Sequence, residues 1–259
     1  MKKITKKSIF FSLKLSLFGL LLLSLLSAAI LLSPADILLN ADIGRTASLA
    51  AAVMGVRIPA DTAYTLPVIV IDAGHGGEDG GASGFGLTEK DLNLAIAKKL
   101  QAVLQSLGMK AVMTRDTDVL LYDAPKNKKM QDLRSRVRMA EEAGDAVFIS
   151  IHQNKFPVEK YTGCQVYYSS GDARSRIFAG MIQSTVKLHL QPENTRSIKE
   201  AGSNIYVLDK LKIPAVLIEC GFLSNRAEAE KLKSNEYQMQ LVSAVAAALV
   251  GYLSIDTSA

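Results

Sequence analysis

The chain has 259 residues, 49% hydrophobic and 21% charged, with two Cys and no Trp. This excludes a disordered chain, a collagen-like repeat and a disulfide-dense scaffold, and the length allows an ordinary core without covalent staples. The net charge of +5 would suit a nucleic-acid binder, but five of the 30 basic residues lie in residues 1–34, which hold no acid, and the remainder balances at 25 against 25.

Those five are Lys2, Lys3, Lys6, Lys7 and Lys14. No basic stripe with interleaved aromatics follows them, so nucleic acid is not expected as a partner. From Ile9 to Leu32 the chain is almost wholly apolar, and Leu15–Leu32 is an uninterrupted stretch of 18 residues. A lysine-rich start followed by such a run predicts an export signal or a membrane anchor over residues 1–34. Positive charge held inside would place the rest across the membrane, anchored to it or released. Residues 35–66, punctuated by Pro59, read as a linker.

Residues 67–253 read as one domain. Pro67 to Asp72 is a short apolar run ending in glycines, hence a buried strand. Thr88 to Leu107 predicts a helix with Leu92, Ile96, Leu100, Val103 and Leu107 on one face and Gly108 at its end. Thr88 and Asp91 resemble a capping box. Strands are expected at 109–114, 146–151, 164–169 and 214–219, and a short strand or extended piece at 204–208. Helices are expected at 133–143, 173–188 and 236–253, with a frayed tail at 254–259. Alternating strands and helices predict an α/β fold: a single three-layer domain with a mostly parallel, twisted sheet between helices.

In such sheets, sites form beyond the carboxyl ends of the strands. Three strands run out into Asp72-Ala-Gly-His75-Gly-Gly, Ser150-Ile-His152-Gln-Asn154 and Glu219-Cys-Gly-Phe-Leu-Ser-Asn225. Two of the three histidines in the chain therefore sit at strand ends. Two such histidines with a carboxylate are the material of a catalytic zinc site, which keeps its fourth position for water. Spacing alone leaves the carboxylate open. Glu78 makes an H-x-x-E pattern with His75. Glu89 opens the first helix, where the helix dipole alone would favour an acid.

Taken together, Asp72-Ala-Gly-His-Gly-Gly, Gly86-Leu-Thr-Glu89-Lys, Ser150-Ile-His152-Gln-Asn154 and Glu219-Cys-Gly-Phe-Leu-Ser-Asn225 resemble the zinc-dependent N-acetylmuramoyl-L-alanine amidases. Leu133-x-x-Arg136-x-x-x-Ala140 also fits, although Glu141 stands where that family usually has Asn. The resemblance covers residues 67–253. It implies one zinc ion held by His75, Glu89 and His152, with Glu219 as the catalytic base, and so decides against Glu78. The implied substrate is peptidoglycan, cut between the lactyl group of N-acetylmuramic acid and L-alanine. Glu193-Asn-Thr-Arg196 and Asn204-Ile-Tyr-Val-Leu-Asp209 resemble the subgroup acting on spore cortex. That subgroup implies a place on the membrane, in the wall, or in the intermembrane space of the developing spore. An activating protein partner is compatible with such a hydrolase, but no motif identifies one.

Other polar residues carry weaker expectations. Asn154 and Asn204 are candidate substrate contacts. Arg115 and Arg136 could bind stem-peptide carboxylates, though ion pairing at the core edge is the more ordinary role. His189 ends a helix and is expected to face solvent. Cys164 and Cys220 are expected as buried free thiols rather than a disulfide. Two rival functions stand beside the amidase. One is a zinc carboxypeptidase on peptidoglycan peptides built on His75 and Glu78. The other is a non-catalytic anchored peptidoglycan-binding protein.

Overall fold

The computed structural model describes residues 66–254. The expected export segment, the linker up to residue 65 and the tail from residue 255 lie outside the described residues. Among the described residues no helix is long and apolar enough to cross a membrane.

The architecture is the expected mixed α/β domain. Its strands are β1 (Val68–Ala73), β2 (Ser83–Gly84), β3 (Leu87–Thr88), β4 (Ala111–Met113), β5 (Ala146–Asn154), β6 (Gln165–Tyr168), β7 (Lys199–Glu200) and β8 (Ala215–Phe222). Its helices are α1 (Glu89–Ser106), α2 (Lys128–Glu142), α3 (Arg174–His189), α4 (Tyr206–Lys210), α5 (Arg226–Lys233) and α6 (Asn235–Leu253). Six strands form one sheet in the order β4-β1-β5-β8-β6-β7, and β2 pairs with β3 in a separate small hairpin. Every pairing in the large sheet is parallel except β6 against β8.

Both faces of the sheet are covered, so its central strands are apolar on both sides. Ile69, Ile71, Ile149, Val216 and Ile218 point to one face and meet the apolar sides of α1, α3 and α6, including Ile96, Leu100, Phe178, Ile182 and Val245. Val70, Phe148 and Leu217 point to the other face and meet Val137 and Ala140 of α2 and Val207 and Leu208 of α4. Burying a large aliphatic side chain of this kind contributes about 1.5–3 kcal/mol.

Four points differ from the sequence reading. Residues 206–210 are a short helix, not a strand, because Val207, Leu208 and Leu211 turn one face onto the second core. The helix expected at 133–143 begins at Lys128. Helix α5 was not expected, although Asn225 caps it by accepting from the Glu228 N–H at 3.1 Å. The capping box at Thr88 also does not form, since its side chain makes no cap hydrogen bond. Carbonyls of the glycine-rich loop satisfy the helix start instead: Glu89 N–H donates to Ala82 at 2.8 Å and Lys90 N–H to Gly80 at 3.2 Å.

Candidate metal centre

The carboxyl ends of β1, β5 and β8 lie side by side, with Asp72 paired to Ser150 and His152 paired to Glu219. The β5–β8 register slips between His152 and Asn154, a bulge of the kind found beside active sites. His75 comes from the turn after β1, Glu89 from the first position of α1, and His152 from β5. One ligand atom from each lies within 4.8 Å of the other two. Glu89 Oε1 stands 3.2 Å from His75 Nε2 and 2.9 Å from His152 Nδ1. The imidazoles meet edge to face, 5.0 Å between centres.

Local packing dictates this convergence. Gly74 gives the His152 ring its space, since a Cβ there would lie 2.2 Å from Nε2. Gly81 does the same for Glu89, whose Oε2 would be 2.5 Å from an added Cβ. The carboxylate is fixed by two backbone donors, Ala82 N–H at 2.7 Å on Oε2 and Gln153 N–H at 3.0 Å on Oε1. Burial opposes ionisation of Glu89, but the two neighbouring imidazoles outweigh it and hold the carboxyl well below the usual range. Burial would lower the His75 pKa, yet Glu89 and Asp79 raise it. Asp79 Oδ2 is 3.0 Å from His75 Nδ1, close enough for a charge pair though not aligned as a hydrogen bond.

The turn carrying His75 is strained and braced. His75 has φ 61°, a left-handed conformation uncommon outside glycine. Arg136 donates to Ala73 O and His75 O, each at 2.7 Å. Arg115 donates to Ala73 O at 2.8 Å and to Gly74 O at 3.0 Å. Asn93, one turn beyond Glu89, donates to Gly74 O at 3.1 Å. Beneath the turn, buried Asp72 accepts from Thr114, Ser150 and Arg136, and Asp132 also holds Arg136. Burial resists the Asp72 charge, but Arg136 and the two hydroxyls keep its pKa low.

Glu219 is different. Its Oε2 is buried without a hydrogen-bond partner, and burial pushes its pKa up to about 7 against the pull of His152. It shares with His75, His152 and Asp72 the lining of a cavity of about 260 Å³, which runs on to Asn204 and Tyr206. A histidine pair sharing one carboxylate oxygen, with an unpartnered acid beside it, is a fitting donor set for a divalent ion and its water.

A family profile described as N-acetylmuramoyl-L-alanine amidase (Amidase_3) matches residues 69–250. The chain belongs to this amidase family. It is 36% identical over 193 residues to the germination-specific N-acetylmuramoyl-L-alanine amidase of Bacillus subtilis, covering 72% of this chain and 80% of that one. Among solved structures, the CwlD amidase from Clostridioides difficile, in complex with the GerS lipoprotein, superposes with a TM-score of 0.70. It is 36% identical and covers 74% of this chain and 100% of that chain. The amidase AmiC2 of Nostoc punctiforme gives a TM-score of 0.64 at 34% identity, covering 73% of this chain and 98% of that chain. The chain is thus an N-acetylmuramoyl-L-alanine amidase acting on peptidoglycan.

Within this amidase the structure sorts the remaining residues. Glu78 stands apart from the cluster, exposed and paired with Lys128 at 2.9 Å. Asn204 lines the cavity, whereas Asn154 ends β5 and is not among the residues lining it. His189 ends α3 and is exposed. Cys164 and Cys220 are buried free thiols, and burial raises both pKa values. Arg115 and Arg136 are buried and committed to the backbone of the His75 turn, Arg136 from the cavity wall. The sequence reading missed Asp79, Asn93 and Asp132. Asp79 follows His75 by four residues and Asn93 follows Glu89 by four, a spacing that could have drawn attention to both.

Proposed function

We propose that this amidase hydrolyses the lactyl–L-alanine amide with a zinc ion held by His75, Glu89 and His152. The observation carrying this reading is the meeting of those three donors beside Glu219 at adjacent strand ends. When bound, zinc supplies Lewis acidity to the scissile carbonyl and lowers the pKa of a nearby water. Glu219 takes the proton from the attacking water and returns it to the leaving amine of L-alanine. A carboxyl raised to about 7 is suited to both tasks near neutral pH. Asp79 orients His75, and the two arginines keep its turn from relaxing. Asn204, on the cavity wall, contacts the substrate, and the Asn154 carbonyl, accepting from the Leu223 N–H at 2.8 Å, ties the end of β5 to the segment after β8.

The likeness to a germination-specific amidase and to CwlD supports a role in spore cortex maturation. The lysine-flanked apolar stretch supports residues 1–34 as a signal or anchor and 35–66 as a linker. A catalytic domain over 67–253 and a short tail at 254–259 complete this organisation. The chain would then work outside the cytoplasmic membrane, anchored or in the wall or intermembrane space. A protein partner that activates it is supported by the lipoprotein bound to the C. difficile relative. Mass spectrometry of material released from purified peptidoglycan tests the core reading. Stem peptides with a free N-terminal alanine, lost on chelation and restored by zinc, are expected. Shortened peptides still joined to muramic acid would overturn it.

A further inference from the structure

Arg115 and Arg136 are held by the His75 turn, but a third arginine bonds the strand partner of Glu219. Gln165 on β6 is the direct antiparallel partner of Glu219 on β8, so the two side chains share one face of the sheet. Gln165 is buried, and its Oε1 accepts from Arg196 Nη1 at 3.2 Å. Arg196 Nε donates to Thr162 O at 2.6 Å. Its guanidinium carbon lies 4.3 Å from the centre of the Phe222 ring, three residues beyond Glu219. Below it, the Arg196 N–H donates to Asn194 Oδ1, and buried Asn194 is bonded to Cys164 O.

This cation is held at three points yet lacks an anion among the described residues. Among the described residues Nη2 has no partner and no carboxylate pairs with the guanidinium. Glu228, which Arg196 influences at longer range, already accepts from the Gly163 and Phe222 N–H groups at 2.8 Å each. Holding a long side chain in one geometry costs entropy, and among the described residues no ion pair offsets it. The substrate is also asymmetric. Its carboxylates lie on the stem peptide, while the glycan side of the scissile amide is uncharged. Glu219 must meet the leaving amine, so the peptide side passes nearest to it.

We infer that Arg196 is a substrate-binding residue, fixed one side chain from Glu219 to take a carboxylate of the stem peptide close to the leaving L-alanine. The inference rests on the amidase reading. Glu193-Asn-Thr-Arg196, a motif without a chemical role in the reaction so far, then exists to place this guanidinium.

The test uses the full chain and two soluble glycan–peptide fragments, with the α-carboxylate of the residue after L-alanine either free or converted to an amide. Affinity is measured by calorimetry with the zinc-loaded Glu219→Gln chain, and KM and kcat with the wild type. The free carboxylate should bind more tightly than the amide. Combining Arg196→Ala with Glu219→Gln should abolish that preference, weakening the carboxylate form roughly 10- to 100-fold, as expected for a charge-assisted bond. In turnover, Arg196→Ala should raise KM far more than it lowers kcat. Arg196→Lys, which keeps the charge without the fork, should restore part of the preference. Equal affinity for both fragments in the Arg196 parent, or equal losses on both after substitution, overturns the inference. The first of these needs no folded variant. Failure of the wild type to release peptide from either fragment would count against the amidase reading, leaving the binding comparison to judge Arg196.

Discussion

The ends of β1 and β8 supply two halves of one site by opposite means. At the end of β1 the carbonyls of Ala73, Gly74 and His75 all accept side-chain donors, chiefly from Arg115 and Arg136. His75 is held there at a positive φ that costs about 1–3 kcal/mol by itself. At the end of β8 the register against β5 slips just past Glu219, and the unsatisfied group is a side chain. Glu219 Oε2 is buried with no partner. On the proposed reading His75 is a metal ligand, which needs a fixed position, and its surroundings are over-determined. A base needs a proton affinity near the working pH, so its surroundings are left unsatisfied.

Breaking the β8 half should have the largest effect, and on rate alone. Glu219→Gln should lower kcat on the order of 10²- to 10⁴-fold, the usual worth of a general base. Zinc content by atomic spectroscopy should stay at one per chain, because the three donors come from elsewhere. The thermal midpoint should not fall, since an amide fits a partnerless site better than a carboxylate does. Zinc lost together with activity would place Glu219 among the ligands and erase the contrast.

Breaking the β1 half should act on folding first. Arg136→Ala leaves Asp72 charged, buried and stripped of its main partner, and uncovers the His75 carbonyl, while Ala73 O keeps Arg115. Removing one member of a buried ion pair costs about 3–5 kcal/mol. Urea denaturation should register that loss, with zinc binding impaired as a consequence. A variant as stable as the parent would mean that the turn holds itself.

The contrast was only half legible in the sequence. Strand ends carrying His75, His152 and Glu219 could be read from apolar runs that stop at polar residues, because strand burial forces that pattern. Choosing Glu89 over Glu78 needed either the resemblance or the fold. Both acids have suitable spacing, and only the glycine loop's return to α1 brings one of them in. The arginines were visible but their role was not, since a guanidinium looks alike whether it faces substrate or carbonyls. Residues 204–208 were misread because a run of five residues has no periodicity to separate a strand from a single helical turn. Helix α5 escapes the sequence reading although Asn225 and Glu228 mark its start, because Asn225 is absorbed into the Glu219 motif.

A milder change sharpens the comparison at the ligand itself. Asp79→Asn keeps the size of the side chain and removes the charge 3.0 Å from His75 Nδ1. Carboxylates behind metal-bound histidines typically matter 10- to 100-fold in affinity, and about that loss is expected here. Competition with a chromogenic chelator measures it, and the denaturation midpoint of the metal-free chain should hardly move. Unchanged affinity would assign Asp79 to Lys129, 3.4 Å away, rather than to the histidine.

The smallest effect is one of pH, and its sign differs between the halves. Asp72 has a folded pKa below its unfolded value of about 3.9, so its contribution to stability is complete above that value and is lost as pH falls through the folded one. Glu219 has a folded pKa raised to about 7 against an unfolded value near 4.3, so its contribution is complete below about 4.3 and is lost as pH rises towards 7. His75, raised by Glu89 and Asp79, adds to the loss above its ordinary value near 6.5. The metal-free chain should therefore be most stable in mildly acid solution. Denaturation midpoints from pH 3 to 8 would trace both limbs. Glu219→Gln should flatten the fall between about pH 5 and 7 and leave the acid limb in place. If the fall survives that substitution unchanged, the buried oxygen of Glu219 is not where the chain stores its proton.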